Sequence, residues 1–353
     1  MATTPQVDKL LPFDPRASHH TYTSPTTNRT YHYLLATPNN RPVATAILIH
    51  GFPDLSFGWR YQVPFLLARG LRVIVPDLLG FGRSDAPEEL EAYGYKSVVR
   101  DLVEVVRHVL GGGEGEESES ERIVVGGHDW GGAVAWRFAL WYPELVKGVF
   151  SVCTPFFPPG EQYRSKKELV RVLPNFGYQV QFEGREVEER VKGREMIRAA
   201  LGVMYEAKRR DGLTVFDVYK GFQLDRIEPG EIGESPLLSR EEMDFYTDEY
   251  VKNGMRGPMC WYKTGLINFQ EERELLEKGK TRVTMPALLV VAKRDAALPP
   301  AMAAAIDKYC DNIVRRDVDA THWALWETPA ETNQHIGEFL DSILKDKHLK
   351  ASI

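Results

Sequence analysis

Short apolar runs alternating with amphipathic stretches set the rhythm of this chain. Residues 44–50 (Ala-Thr-Ala-Ile-Leu-Ile-His) and 71–76 are apolar almost throughout, as strands buried on both faces are. Residues 123–125, 145–152 and 287–292 repeat the pattern, and 19–24 and 30–37 flank the Pro25 to Arg29 turn as two more strands. Helical spacing over 59–69, 93–110 and 133–141 lies between them. From Thr154 the alternation stops, and residues 154–283 are helix-patterned and rich in charge and aromatics, most clearly at 183–205 and 240–253. After the strand at 287–292, segments 301–309, 313–318 and 332–344 complete helix, strand and helix. The predicted class is α/β: a mostly parallel central sheet flanked by helices, with a core built from residues 1–153 and 284–353. The helical unit 154–283 is inserted after a sheet strand, so it belongs over the ligand-binding edge as a lid. Residues 1–18 read as a partly ordered lead-in, and the acidic, glycine-rich stretch from Gly111 to Glu121 as a flexible surface loop without assigned function.

The sharpest local signal is Ile123-Val-Val-Gly-Gly-His-Asp129-Trp-Gly-Gly-Ala133. A β-branched run, glycines at 126, 127, 131 and 132, and a helical segment spell strand, tight turn, helix, the context of a nucleophile elbow. Asp129 occupies the corner. A serine attacking a saturated carbon would leave an inert ether, whereas a carboxylate leaves an ester that activated water can open. The structural reading is that Asp129 only caps the following helix. Gly80-Phe-Gly82, by contrast, lacks the third glycine of a dinucleotide fingerprint and reads as a tight loop at the sheet edge.

Composition narrows the classes. The chain has 353 residues, a length for about two structural units, 43% hydrophobic and 27% charged, with net charge −6 and no basic cluster. Nucleic acid is therefore not an expected partner. No apolar run reaches the roughly 18 residues of a membrane span, and no signal peptide is visible. Cys153, Cys260 and Cys310 are odd in number and far apart. They read as buried fillers in a reducing, cytoplasmic setting rather than as a zinc site.

His50-Gly-Phe-Pro53, Gly80-Phe-Gly-Arg-Ser84, Gly127-His-Asp-Trp-Gly131, Asp295 and His322 together resemble the motifs of the soluble epoxide hydrolases of the α/β-hydrolase superfamily, over nearly the whole chain from about residue 30. The resemblance implies a residue set, with each role open to a chemical check. Asp129 would be the nucleophile, His322 the general base and Asp295 the acid that orients it; the loop after the preceding strand, Cys153-Thr-Pro-Phe, has no carboxylate to compete. Backbone N–H groups of Phe52 and Trp130 would form an oxyanion hole, and their side chains would line the pocket. Tyr178 and Tyr262 would bind substrate from the lid and protonate the departing oxygen, since a phenol of pKa about 10 stays protonated at neutral pH. His50 and His128 read as structural supports, and Tyr205, Tyr246 and Tyr250 as lid packing.

The implied reaction is hydrolysis of an apolar epoxide to a vicinal diol through an aspartyl ester, with no metal or organic cofactor and a small-molecule epoxide as the one partner. Oligomeric state is not written in the sequence. A haloalkane dehalogenase shares the Asp nucleophile and the Trp after it, but Phe52 has no side-chain N–H for a halide and the tyrosine pair would have no purpose. Trp130 stands where a fluoroacetate-type dehalogenase carries Arg, and an esterase would have Ser at 129. An enzyme that opens an epoxide with an internal nucleophile, and a non-catalytic ligand receptor on the same fold, complete the alternatives.

Overall fold

The computed structural model describes residues 7–111 and 122–344. The expected acidic loop falls almost wholly outside them. Ten strands are placed among the described residues: β1 Ser18–Thr23, β2 Thr30–Ala36, β3 Ala44–Ile49, β4 Leu71–Pro76, β5 Ile123–His128, β6 Val146–Val152, β7 Phe216–Asp217, β8 Gly221–Phe222, β9 Ala287–Ala292 and β10 Ile313–Val318. Eight form the central sheet in the order β1-β2-β4-β3-β5-β6-β9-β10, and β2 alone runs against its neighbours. Every residue of β3, β5 and β9 is buried, which is why these runs carry no polar alternation.

Helices cover the sheet: α1 Gln62–Ala68, α2 Tyr95–Leu110 and α3 Trp130–Trp141, with α11 Ala324–Glu327 and α12 Pro329–Leu344 at the far end of the chain. Helix α2 buries Val98, Val99, Leu102, Val103, Val105 and Val106, one stripe at helical spacing, and closes on Gly111 in the left-handed conformation. Between β6 and β9 the chain leaves the sheet for α4 Lys166–Val172, α5 Tyr178–Glu183, α6 Glu186–Arg190, α7 Arg194–Met204, α8 Arg240–Asn253, α9 Arg256–Cys260 and α10 Gly265–Glu277. This helical insertion docks on the loops that follow β3 and β4. The Tyr246 hydroxyl donates to Asp54 Oδ1 at 2.7 Å, Trp261 Nε1 to the Leu79 carbonyl at 3.0 Å, and Asn253 Nδ2 to the carbonyls of Gly82 and Ser84.

Three expectations need correction. The single helix expected over 183–205 is divided among α5, α6 and α7, interrupted around Gly184 and Gly193, the latter at φ 76°. The segment 301–309 forms two short 3₁₀ turns, Pro300–Ala303 and Ile306–Lys308, instead of one helix, each turning one apolar residue, Ala303 and Ile306, inward. The insertion also holds the β7–β8 ribbon, too short to leave a periodic signal. The described part of the lead-in packs on the core: Leu10 is buried, its N–H bonds to the Arg60 carbonyl, and Lys9 pairs with Glu242 on α8. No helix of the described residues is long and apolar enough to cross a membrane, and all three cysteines are free and buried.

Candidate active site

Strand β5 ends at His128 and α3 begins at Trp130, so Asp129 alone makes the corner, at φ 53° and ψ −123°. That backbone is strained for any residue with a Cβ and persists only where its surroundings hold it. Here the Asp129 carbonyl accepts the Thr154 hydroxyl at 2.8 Å and the Gly132 N–H at 2.9 Å. A Cβ on Gly131 would lie 2.0 Å from the Ile49 carbonyl oxygen, so only glycine lets α3 start this close to β3. The Asp129 side chain makes no capping bond to its own helix, contrary to the structural reading of the motif. Its Oδ1 instead accepts the Phe52 N–H at 2.8 Å, with the Trp130 N–H as a second backbone donor to the carboxylate. Gly51 allows this approach, since a Cβ there would stand 2.2 Å from that same oxygen.

His322 lies between two carboxylates. Its Nδ1 is 2.8 Å from Asp295 Oδ2, and its Nε2 is 3.7 Å from Asp129 Oδ2. Asp295 is fixed in turn by the N–H groups of Ala297 and Leu298 on Oδ1, at 2.8 and 2.9 Å. Burial opposes charge on His322, but Asp295 and then Asp129 outweigh it and raise the imidazole to about 9. Burial also works against the Asp295 carboxylate; His322 and the two backbone donors overcome it and hold Asp295 below the ordinary range. For Asp129 burial wins over His322 and the backbone donors, so its carboxyl is raised.

Two lid side chains face this group. Tyr262 meets Trp130 edge-on at 5.2 Å between ring centroids and Phe52 at 5.7 Å, and Tyr178 lies 6.0 Å from Tyr262. Burial first, then the neighbouring Asp129 for Tyr178 and the two groups Tyr178 and Asp129 for Tyr262, push both phenols above their usual range. All seven residues singled out in the sequence, Phe52, Asp129, Trp130, Tyr178, Tyr262, Asp295 and His322, therefore meet in one place.

A carboxylate at a strand-to-helix corner, a backbone N–H donor upon it, a His–Asp pair and two phenols from the helical insertion thus stand together in one buried site. The family profile described as alpha/beta hydrolase fold matches residues 46–329. An epoxide hydrolase of Neurospora crassa, srdG, is 44% identical over 348 residues, covering 96% of this chain and 99% of that one. The chain belongs to the epoxide hydrolase family of the α/β-hydrolase superfamily. It is also 31% identical over 310 residues to the mouse bifunctional epoxide hydrolase 2, covering 87% of this chain but only 53% of that protein. The crystal structure of epoxide hydrolase A from Mycobacterium thermoresistibile superposes with a TM-score of 0.75 at 25% identity, covering 93% of this chain and 99% of that one.

Around this epoxide hydrolase family core, His128 and Cys153, read from the sequence as a structural support and a buried filler, make specific bonds. His128 Nε2 lies 2.9 Å from the His322 carbonyl, which also accepts from Cys153 Sγ at 3.4 Å. Burial, then His322, lowers the His128 imidazole to about 3, so it is neutral and its Nε2–H donates. Burial and the carboxylates of Asp295 and Asp129 push the Cys153 thiol up, so it stays protonated. His128, Cys153 and His322 bring donor atoms within 4.8 Å of one another, the one such metal-capable group among the described residues, and hydrogen bonds engage all three. Thr154, Cys153 and Gln179 each adjoin a motif residue or the strand end beside it, which is the only signal the sequence carried for them.

Proposed function

We propose that the protein converts an apolar epoxide and water to a vicinal diol through an ester on Asp129, with residues 154–283 as the cap that supplies two acids. The placement of the Asp129 carboxylate carries this reading: Oδ1 is occupied by the Phe52 N–H while Oδ2 faces His322. Oδ2 attacks a ring carbon, the ring C–O bond breaks, and its electron pair stays on the oxygen, which takes a proton from Tyr178 or Tyr262. The ester carbonyl, Oδ1, then already faces the Phe52 N–H, and the Trp130 N–H is the second backbone donor to the group.

Ester formation removes the Asp129 charge that helped to hold His322 protonated, so the imidazolium gives up a proton that restores the tyrosine. Neutral His322, held by Asp295, takes a proton from water as the water oxygen adds to Cγ of Asp129. The oxyanion on Oδ1 is stabilised by two backbone donors, each worth on the order of 10²–10³ in rate. Collapse breaks the Cγ–Oδ2 bond, and the departing diol oxygen takes the proton from His322. The new carboxyl group releases its proton to the imidazole, which closes the cycle with one water consumed.

The test is the intact mass of a His322→Gln variant after exposure to styrene oxide, a cis-epoxy fatty acid and a bromoalkane. A gain equal to a whole epoxide, mapped to Asp129, supports the reading. A gain equal to an alkyl group without halogen would establish dehalogenation instead. A folded variant that stays unmodified by epoxides which the wild-type protein turns into diols would overturn the ester.

A further inference from the structure

Neighbouring residues of a helix point about 100° apart and do not ordinarily face each other. In α5, Gln179 nevertheless turns back on Tyr178, with its Nε2–H donating to the Tyr178 hydroxyl oxygen at 3.4 Å, and both side chains are buried. A phenol oxygen has one proton and two lone pairs. With one lone pair facing the amide, the Tyr178 proton is directed away from Gln179, and Tyr262 and Asp129 are the neighbouring polar groups that also act on this phenol.

We infer that Gln179 is a positioning residue for epoxide opening, aiming the Tyr178 proton at the departing oxygen and stabilising the phenolate that remains when it is transferred. The inference rests on the role proposed above for Tyr178. The 3.4 Å separation is long for a neutral pair, and charge-assisted bonds are shorter and about twice as strong. A contact that tightens only as charge develops lowers the barrier instead of merely binding substrate. Burial and the Asp129 charge make the Tyr178 phenolate costly, and the Gln179 bond is among the contacts that offset this. The start of the segment is also anchored: Asn175 Nδ2, one turn earlier and buried, donates to the Ala297 carbonyl at 2.7 Å, on the loop that holds Asp295.

The experiment uses the full chain and the epoxide that most fully alkylates the His322→Gln variant. Ester formation is read by quenched single-turnover mass measurement, and ester hydrolysis is followed separately. Gln179→Met, equal in length but without a donor, is expected to slow ester formation by roughly 10–100-fold, the scale of one hydrogen bond to a charged group, with hydrolysis unchanged. Gln179→Glu should slow the same step, because its carboxylate repels the phenolate, and serves if the Met variant fails to fold. In a Tyr178→Phe background neither change should add a further loss. Ester formation at the wild-type rate in folded Gln179 variants would overturn the inference, as would equal slowing of both steps or a loss that persists without the Tyr178 hydroxyl. If Tyr178→Phe alone leaves ester formation unchanged, it is the underlying role of Tyr178 that fails.

Discussion

His322 Nε2 stands 3.7 Å from Asp129 Oδ2, beyond hydrogen-bond range, while His322 Nδ1 is 2.8 Å from Asp295. The resting pair is therefore a charge pair with a gap between imidazole and carboxylate, the space that the attack proposed for Asp129 requires. Burial works against the imidazolium, yet Asp295 and Asp129 together raise it to about 9. Removing one of those charges must lower it.

This sets the first pH prediction. In the ester, Asp129 is uncharged, so His322 should titrate below about 9. The hydrolytic step needs the neutral imidazole, so its rate should fall as pH drops through that lower value. Ester formation needs the Asp129 carboxylate instead, so its rate should fall as pH drops through the raised value of that group, a separate transition from the His322 one. Single-turnover rates of the two steps as a function of pH check this. A hydrolytic pKa at or above the value of the resting enzyme would show that the Asp129 charge does not act on His322.

A second pair couples lid to core. Asp54, fully buried after the His50-Gly-Phe-Pro53 run, accepts the Tyr246 hydroxyl and the Leu55 N–H on Oδ1, each at 2.7 Å. Burial pushes its carboxyl up to about 7, against the pull of those bonds and of Arg60. With the folded value above the unfolded one, the folded state keeps a proton that the unfolded chain has already released. Stability therefore falls as pH rises from about 4 through about 7 and levels off above. Tyr246→Phe removes a donor to the ionised form and extends that window upward. The variant should lose about 1–3 kcal/mol at pH 8, and less at pH 5. Urea denaturation at both pH values measures it, and equal losses would mean that the hydroxyl does not sense the Asp54 charge.

Much of this was legible in the chain itself, for physical reasons that differ by element. Strands β3, β5 and β9 announce themselves because both faces are buried, and the Asp129 corner because its glycines have no steric alternative. The division of 183–205 into three helices was not, since charged helical spacing continues across Gly184 and Gly193. Tyr205 and Tyr246, read as packing, use their hydroxyls to bind the Pro53 carbonyl and Asp54. Bonds of this kind, like Asn175 to Ala297 across 122 residues, have no local signature and become visible only when the lid is folded onto the core.

The last prediction concerns Cys153, the residue that follows β6. Its φ is 68°, and its Sγ lies within 4.8 Å of a ring nitrogen of His322. Asp295→Asn should slow ester hydrolysis by roughly 10³–10⁴-fold, the scale observed when a triad acid becomes an amide. Aspartate tolerates positive φ better than most residues, and its carboxylate would reach further than the thiol from the same backbone. Cys153→Asp introduced beside Asp295→Asn should therefore recover at least about tenfold of the lost hydrolytic rate, equivalent to about 1.4 kcal/mol of barrier. Cys153→Asp alone should not accelerate hydrolysis, because Asp295 already holds the ring and a second buried carboxylate would raise the cost of ionising Asp129. Single-turnover decay of the accumulated ester reads both outcomes. A folded double variant no faster than Asp295→Asn would show that a carboxylate on this strand end cannot orient His322, and that the Asp295 loop is the only geometry this fold offers the base.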